Sequence, residues 1–466
     1  MEPVFVAWRR YMSLDARPGL MAEHASLIPA DRDLFVPPAS EDAIAGFEKN
    51  LREAYAYVVR QARSDGLLPG QGVSLPLVPV VTGLDPHAER VLRERCLTVL
   101  ACLERVAAAY RCDPELQKFL DVPSPLREWV LADEFAAARR IDYCRFDVIG
   151  DHLSDLRVLE FNGEFAGGLL TTGLLARHWR RAPAIGPLIS GWEASESLIE
   201  NDTWLIDELL ALGAAQGVHS EHVALVCPVE LRLFTEVALL ARQARRRHLI
   251  SVIAEPRELV VEPSVRLAFL VCSTAALLAD FESYRPLFER MATGELVVSN
   301  GITGRAIGSN KLALAMMSDP RFQRLFTAAQ RDAIAALVPW SRKLDDGISA
   351  DEALAQREDV VLKAPYEALS RAVYIGREHS PARWRALVES AARKGWLVQE
   401  FVPSQRVVTA DGTYCRTLGV GLANGHVVGY TARLSRSLMG TIYPDGGVQS
   451  VFAPEPGVHR GNVRSR

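Results

Sequence analysis

The chain has 466 residues, 49% hydrophobic and 24% charged, with a formal net charge of −4 and a pI near 6.2. That length accommodates two or three packed units, and the near-neutral balance gives no general pull toward nucleic acid or an anionic membrane, so any anion site has to be local. The seven cysteines are dispersed without a CxxC pair, and the ten histidines show no HExxH, which argues for reduced thiols in a cytoplasmic protein and against a disulfide framework or zinc site.

The first residues, MEPVFVAWRRYMSLDARPG, lack the basic-then-apolar order of a signal peptide. Residues 1–40 are proline-rich and aperiodic, and read as irregular wrapping. From Glu41 to Asp65 apolar residues recur every three or four positions until Gly66, the pattern of an amphipathic helix. A stronger stripe, Leu92, Cys96, Val99, Leu103, Val106 and Tyr110, predicts a second helix over Pro86–Arg111. It suits a core, and equally the face of a homodimer. The region 1–140 is therefore expected to be mainly helical.

Residues 141–173, IDYCRFDVIGDHLSDLRVLEFNGEFAGGLLTTG, read as two half-buried strands joined by a polar turn and followed by a glycine-rich loop. Arg145, Asp147, Glu160 and Asn162 share one face, and a turn over Gly150–Asp155 sets Arg145 opposite Glu160. A solvated face with a surface ion pair fits that pattern. The alternative is a cation site, because Glu160 and Asn162 run into Gly163, Gly167 and Gly168, and a hard divalent cation takes such oxygen ligands. Residues 141–215 carry this hairpin and the helices after it.

A strand, helix, strand, strand rhythm begins at His222 and predicts a small parallel, Rossmann-like subdomain over 216–300. Cys227-Pro228-Val229-Glu230 follows its first strand in place of a glycine-rich fingerprint, so no nucleotide site is expected there. Its most apolar run, Leu267–Ala279, is too short to span a bilayer. In the last region, 301–466, SNKLALAMMSDP opens a helix at Lys311, and DVVLKAPYE is a strand ending on Lys363 with Glu367 four residues on. Ser380-Pro381 caps a helix, WLVQEFV is a strand, and two long strands turn at Asn424-Gly425. Two lysines, several carboxylates and glycine-rich turns are what a polyphosphate and its metal require. With no GxxxxGK[ST], HRD or DFG present, P-loop and protein-kinase chemistry are excluded.

Six segments in this order, RFD (145–147), LEFNGEFAGG (159–168), SNKLALAMMSDPRF, VLKAPYE, VQEFV and DGGV (445–448), resemble the circularly permuted ATP-grasp ligases, the group of glutathione synthetase and glutathionylspermidine synthetase-like proteins. The resemblance implies an α/β (α+β) fold, an ATP-grasp core with a helical N-terminal region and the Rossmann-like subdomain. It implies a carboxylate–amine ligase forming ADP through an acyl phosphate, with ATP and Mg2+ as cofactors. Glu160, Asn162 and Glu367 would be metal ligands, Lys311 and Lys363 phosphate contacts, and Gln399, Glu400, Phe401 and Val402 the adenine strand. Arg145 would clamp the substrate carboxylate, oriented by Asp147, while Arg433 and Arg436 would meet the acyl phosphate or the second substrate. The phosphate loop departs from the family's glycines, reading Ala368-Leu369-Ser370-Arg371-Ala372. Ser370 and Arg371 would have to replace backbone contacts, Arg371 by a charge-assisted hydrogen bond, or else the nucleotide site is weakened. A phosphotransferase and a nucleotide-sensing scaffold stay open as alternatives. Expected partners are small carboxylate and amine substrates, with no nucleic acid and no membrane.

Overall fold

A computed structural model describes residues 33–36, 41–67, 76–133, 141–186, 189, 192, 195–259, 263–367, 370–409, 412–442 and 446–454, with the backbone alone at 36 and 41–49. Most of the expected wrapping segment, together with Ala368, Leu369 and Asp445, lies outside these residues.

Among the described residues three sheets organise the fold. The largest runs β1 (Phe35–Val36), β2 (Leu77–Leu84), β16 (Gly447–Phe452), β15 (His426–Ser435), β14 (Gly412–Ala423), β3 (Tyr143–Ile149) and β4 (Arg157–Asn162), with β13 (Gln405–Thr409) pairing the free half of β14. All of its pairings are antiparallel except β2 with β16. Strand β2 is an addition to the helices expected before residue 140. The helices there are as expected: α1 spans Glu41–Ser64 and α2 spans Pro86–Tyr110. Asp85 starts α2 by accepting from the N–H groups of His87 (3.0 Å) and Ala88 (2.9 Å), with Pro86 at the first helical position.

The whole stripe from Leu92 to Tyr110 is buried within the chain, against Cys144, Phe146 and Val148 of β3. Each large apolar side chain so covered contributes about 1.5–3 kcal/mol. The stripe is therefore core, and the reading of it as a dimer face does not hold. The other face of the large sheet packs on α3 (Leu169–Arg181) and α1. With helices on both sides, β3 is buried at every residue, not half-buried as its alternation suggested.

The second sheet, β11 (Val373–Ile375), β10 (Val360–Lys363), β12 (Leu397–Glu400) and β9 (Ser341–Lys343), is antiparallel throughout. One of its faces, with Leu362 and Val398, packs under Trp384 and Val388 of the helix Pro381–Ala392. The third sheet, β6 (Ile250–Ala254), β5 (His222–Val226), β7 (Leu267–Leu270) and β8 (Val297–Val298), is all parallel, as the strand–helix rhythm predicted. The helix between β5 and β6, α4, spans Thr235–Arg246. Among the described residues no helix is long and apolar enough to cross a membrane.

Candidate functional site

The hairpin β3–β4 forms, in a register different from the expected one. Ile149 faces Arg157, Asp147 faces Glu160 and Arg145 faces Asn162, with an irregularity between Asp147 and Val148. The turn is one residue longer than predicted, which alone would have moved every side chain to the opposite face. The irregularity absorbs a second residue and restores the faces. Arg145, Asp147, Glu160 and Asn162 therefore do share a face, with different opposite numbers.

At Arg145 and Asp147 that face is buried and not a surface ion pair, while Glu160 and Asn162 stay partly exposed. Arg145 donates from Nε to Asp147 Oδ1 (2.6 Å) and from Nη2 to Oδ2 (3.2 Å), and its Nη1 donates to the Gly167 carbonyl in the glycine-rich loop. Arg433, on β15, reaches the same carboxylate at 2.6 Å. Asp147 is 1% exposed. Burial alone would push its carboxyl up, but the guanidinium groups of Arg145 and Arg433 outweigh that and hold it well below the usual carboxylate range. Gly419 of β14, opposite Asp147, makes the room: a Cβ there would lie 2.9 Å from Arg145 Cδ and 2.7 Å from Thr431 Cγ2.

The second half of the site is built by β4, β10 and β12. Lys363, at the end of β10, donates to the Leu159 carbonyl on β4 (2.8 Å) and to Gln399 Oε1 on β12 (2.7 Å). Gln399 in turn donates to Ser341 Oγ (3.1 Å). Burial lowers the Lys363 ammonium to about 8, partly offset by the Glu160 carboxylate, with the Lys311 ammonium adding to the fall. Lys311 stands at the cap of α5 (Leu312–Ser318) and is buried, not the exposed first-turn lysine a helix start commonly carries. Its Nζ donates to the Glu367 carbonyl (2.7 Å) and lies 3.7 Å from Glu160. Gly163, at the exit of β4, touches the Gly308 backbone, where a Cβ would sit at 2.6 Å. This contact docks the hairpin against the segment leading to Lys311.

The sequence-predicted residues thus fall into two groups. Glu160, Lys311, Lys363 and Gln399 converge on β4, with Glu367 joined to them through its backbone carbonyl, and Arg145 and Arg433 converge on Asp147. Arg436 does not join them: it is exposed and lies on the Tyr414 ring, 5.1 Å from its centroid. Glu400 and Phe401 use their N–H groups on the Trp340 carbonyl (2.9 Å) and the Asp359 carbonyl (2.7 Å), so these are not open to a ligand, and Val402 follows the strand. Ser370 has φ of +57°, the left-handed conformation glycine usually takes, and Arg371 beside it is exposed.

Among the described residues no group of three or more His, Cys, Asp or Glu side chains is placed to hold a metal ion. The expected set is different in kind, two carboxylates and an amide. Glu160 and Asn162 share one face, and the Asn162 amide donates from Nδ2 to the Arg145 carbonyl (3.2 Å), leaving its oxygen outside that bond. Oxygen donors of this kind suit a hard cation, although the Lys311 ammonium already stands between the Glu160 carboxylate and the Glu367 backbone carbonyl.

Two supporting residues were not foreseen. Glu236 on α4 is 1% exposed and accepts from the Gly168 N–H (2.9 Å) and the Thr171 N–H (3.2 Å), fixing the loop that holds Arg145. Ser341 on β9 orients Gln399. Neither follows a local pattern; each is a polar residue whose partner lies far away in the chain.

No protein-family model and no curated protein sequence matches the chain. Among solved structures it is similar to a glutathione synthetase-like effector from Globodera pallida in the apo form, over 87% of this chain and 97% of that one, with a TM-score of 0.53 and 13% identity. At that identity what is shared is the fold, a mixed α/β architecture like that of a glutathione synthetase-like protein.

Proposed function

We propose that the protein is an ATP-grasp carboxylate–amine ligase of circularly permuted order, forming ADP. The observation that carries this reading is the convergence of Lys311, Lys363, Glu160 and Gln399, from segments more than two hundred residues apart, on the middle of β4. Surface polarity does not produce two buried lysines beside a carboxylate; a polyanion site does. The fold shared with a glutathione synthetase-like protein agrees with it.

In this reading the two lysine ammonium groups meet the phosphates, and Glu160, Asn162 and Glu367 would hold magnesium, which supplies positive charge to the transferring phosphoryl group. Lys311, now 3.7 Å from Glu160, would turn toward the nucleotide phosphates once that carboxylate is engaged by a cation. A substrate carboxylate oxygen attacks the γ-phosphorus and ADP leaves. An amine nitrogen then attacks the acyl carbon, losing a proton as inorganic phosphate departs. Arg433, bonded to Asp147 through Nη2 and a quarter exposed, is the guanidinium with donor capacity left for the acid or its acyl phosphate. Arg145 is committed to Asp147 and the Gly167 carbonyl, and acts by holding the loop.

A second reading keeps nucleotide binding without ligation, favoured by the Lys311–Glu160 contact and the exposed Arg371 in the phosphate loop. The test is a screen of amino acids and small acids with amines for ADP release, with mass spectrometry of products. An amide product establishes the ligase; a phosphorylated acid as end product indicates a phosphotransferase. ATP binding with no acid-stimulated ADP release indicates the sensing protein.

A further inference from the structure

Strand β6 ends the parallel sheet of the Rossmann-like subdomain, and β5 is its one strand partner among the described residues. Ile250 N–H bonds the Glu221 carbonyl (2.8 Å) and Cys227 N–H bonds the Ala254 carbonyl (3.0 Å). Residues 250, 252 and 254 therefore turn their backbone groups inward, and Ser251 and Ile253 turn theirs outward. The strand, ISVIA, carries no charge, proline or bulge of the kind that protects natural edges. Ile250 is 55% and Ile253 38% exposed. Val229, as exposed as Ile250, and Leu233, more exposed still, lie beyond the C-terminal end of β5, where Arg232 pairs with Glu258 beyond the C-terminal end of β6 (2.6 Å). These four are the majority of the large exposed apolar side chains among the described residues.

The flanks of β6 differ in sign. Arg245, Arg246, Arg247 and His248 precede it, and Glu255 and Glu258 follow it around the single Arg257. Arg246 and Arg247 bond Asp202 and Asp207 yet stay roughly half exposed, with donor capacity toward a further acid. Parallel pairing of two such strands would set basic flank on basic flank. Antiparallel pairing about Val252 sets the basic flank of each along the acidic flank of the other. It also joins the outward backbone groups of Ser251 to those of Ile253 and covers Ile250 against Ala254. Apolar contact, backbone pairing and charge all match when the occupant of this edge is a second copy of the chain.

We propose that the protein forms a two-fold homodimer by antiparallel pairing of its β6 edges, with Val252 on the axis. Pairing of so short a strand covers less than the ~800 Å² per partner of a standard interface, so dimerisation is expected to depend on concentration. The proposal is independent of the ligase reading.

Sedimentation velocity of the full chain over a concentration series tests it, expecting a monomer–dimer equilibrium that Ile253→Lys shifts to monomer with unchanged circular dichroism. Register is tested by oxidative cross-linking. Val252 would meet Val252 of the second copy at a Cα separation of about 4.5 Å, within disulfide reach. Val252→Cys should therefore cross-link, while Ile250→Cys, opposite Ala254, and the unaltered chain with its exposed Cys112 should not. A monomer at every concentration overturns the proposal. So does a dimer indifferent to Ile253→Lys, or equal cross-linking at positions 250 and 252.

Discussion

Asp147 accepts a hydrogen bond from Arg433 at 2.6 Å across 286 residues of sequence, while its own strand neighbour Arg145 grips the same carboxylate from the other side. One buried acid thus ties the hairpin β3–β4 to strand β15. Removing its charge leaves two guanidinium groups without their counterion, and breaking a buried pair in this way costs roughly 3–5 kcal/mol. Asp147→Asn is expected to lose that much in urea unfolding; a loss below about 1 kcal/mol, the range of an exposed pair, would contradict the account. The sign with pH follows. A carboxyl held below its unfolded value stabilises the fold above that value and loses the contribution as pH falls through the folded one, so the unaltered chain should weaken below about pH 4.

Lys363 runs the opposite way. Its ammonium is lowered from the ordinary 10.5 to about 8. Between those values the unfolded chain binds more protons, so the penalty for burying the charge is present below about 8 and is relieved as pH rises. Phosphate binding needs the charge, so nucleotide affinity should fall as pH rises through about 8, tracked by calorimetry. Lys363→Met should bind weakly and without that pH step. A step of equal size in the variant would assign the titration elsewhere.

Gly419→Ala places a Cβ against Arg145 Cδ and Thr431 Cγ2. Overpacking of this kind costs about 1–3 kcal/mol, and here it also displaces the guanidinium from Asp147. Thermal unfolding should show the loss, and adding Thr431→Ser, which removes the nearer methyl group, should restore part of it. No rescue would mean that the strain lies elsewhere.

Arg371 is exposed beside Ser370, in the loop that the proposed function sets over the phosphates. A hydrogen bond to a charged group is worth about 1.5–3 kcal/mol, so Arg371→Ala should weaken ATP binding by about 10- to 100-fold. Unchanged affinity in that variant would remove Arg371 from the nucleotide site.

The sequence showed the parts of this site better than their pairing. Local periodicity found α1, α2, the parallel subdomain and both lysine-bearing segments, because each burial pattern is written within a few turns of chain. It placed Glu160 and Asn162 on the right face but opposite the wrong partners, since turn length and a strand irregularity shift register without changing alternation. Full burial of β3 was not legible either, because coverage of a sheet's second face comes from helices elsewhere in the chain. The same holds for Glu236 and Ser341, whose partners are distant in sequence. Arg436 falls just past the end of β15, on the Tyr414 ring, because alternation says nothing of where a strand ends.

The central claim is that the cluster around β4 binds and turns over ATP. Acid-stimulated ADP release, measured for the unaltered chain, Glu160→Ala and Lys363→Ala with folding checked by circular dichroism, tests it most directly. The account predicts release by the unaltered chain and its abolition in both variants while each stays folded. Near-normal turnover in either variant, or none in the unaltered chain with any acid and amine pair, would contradict it.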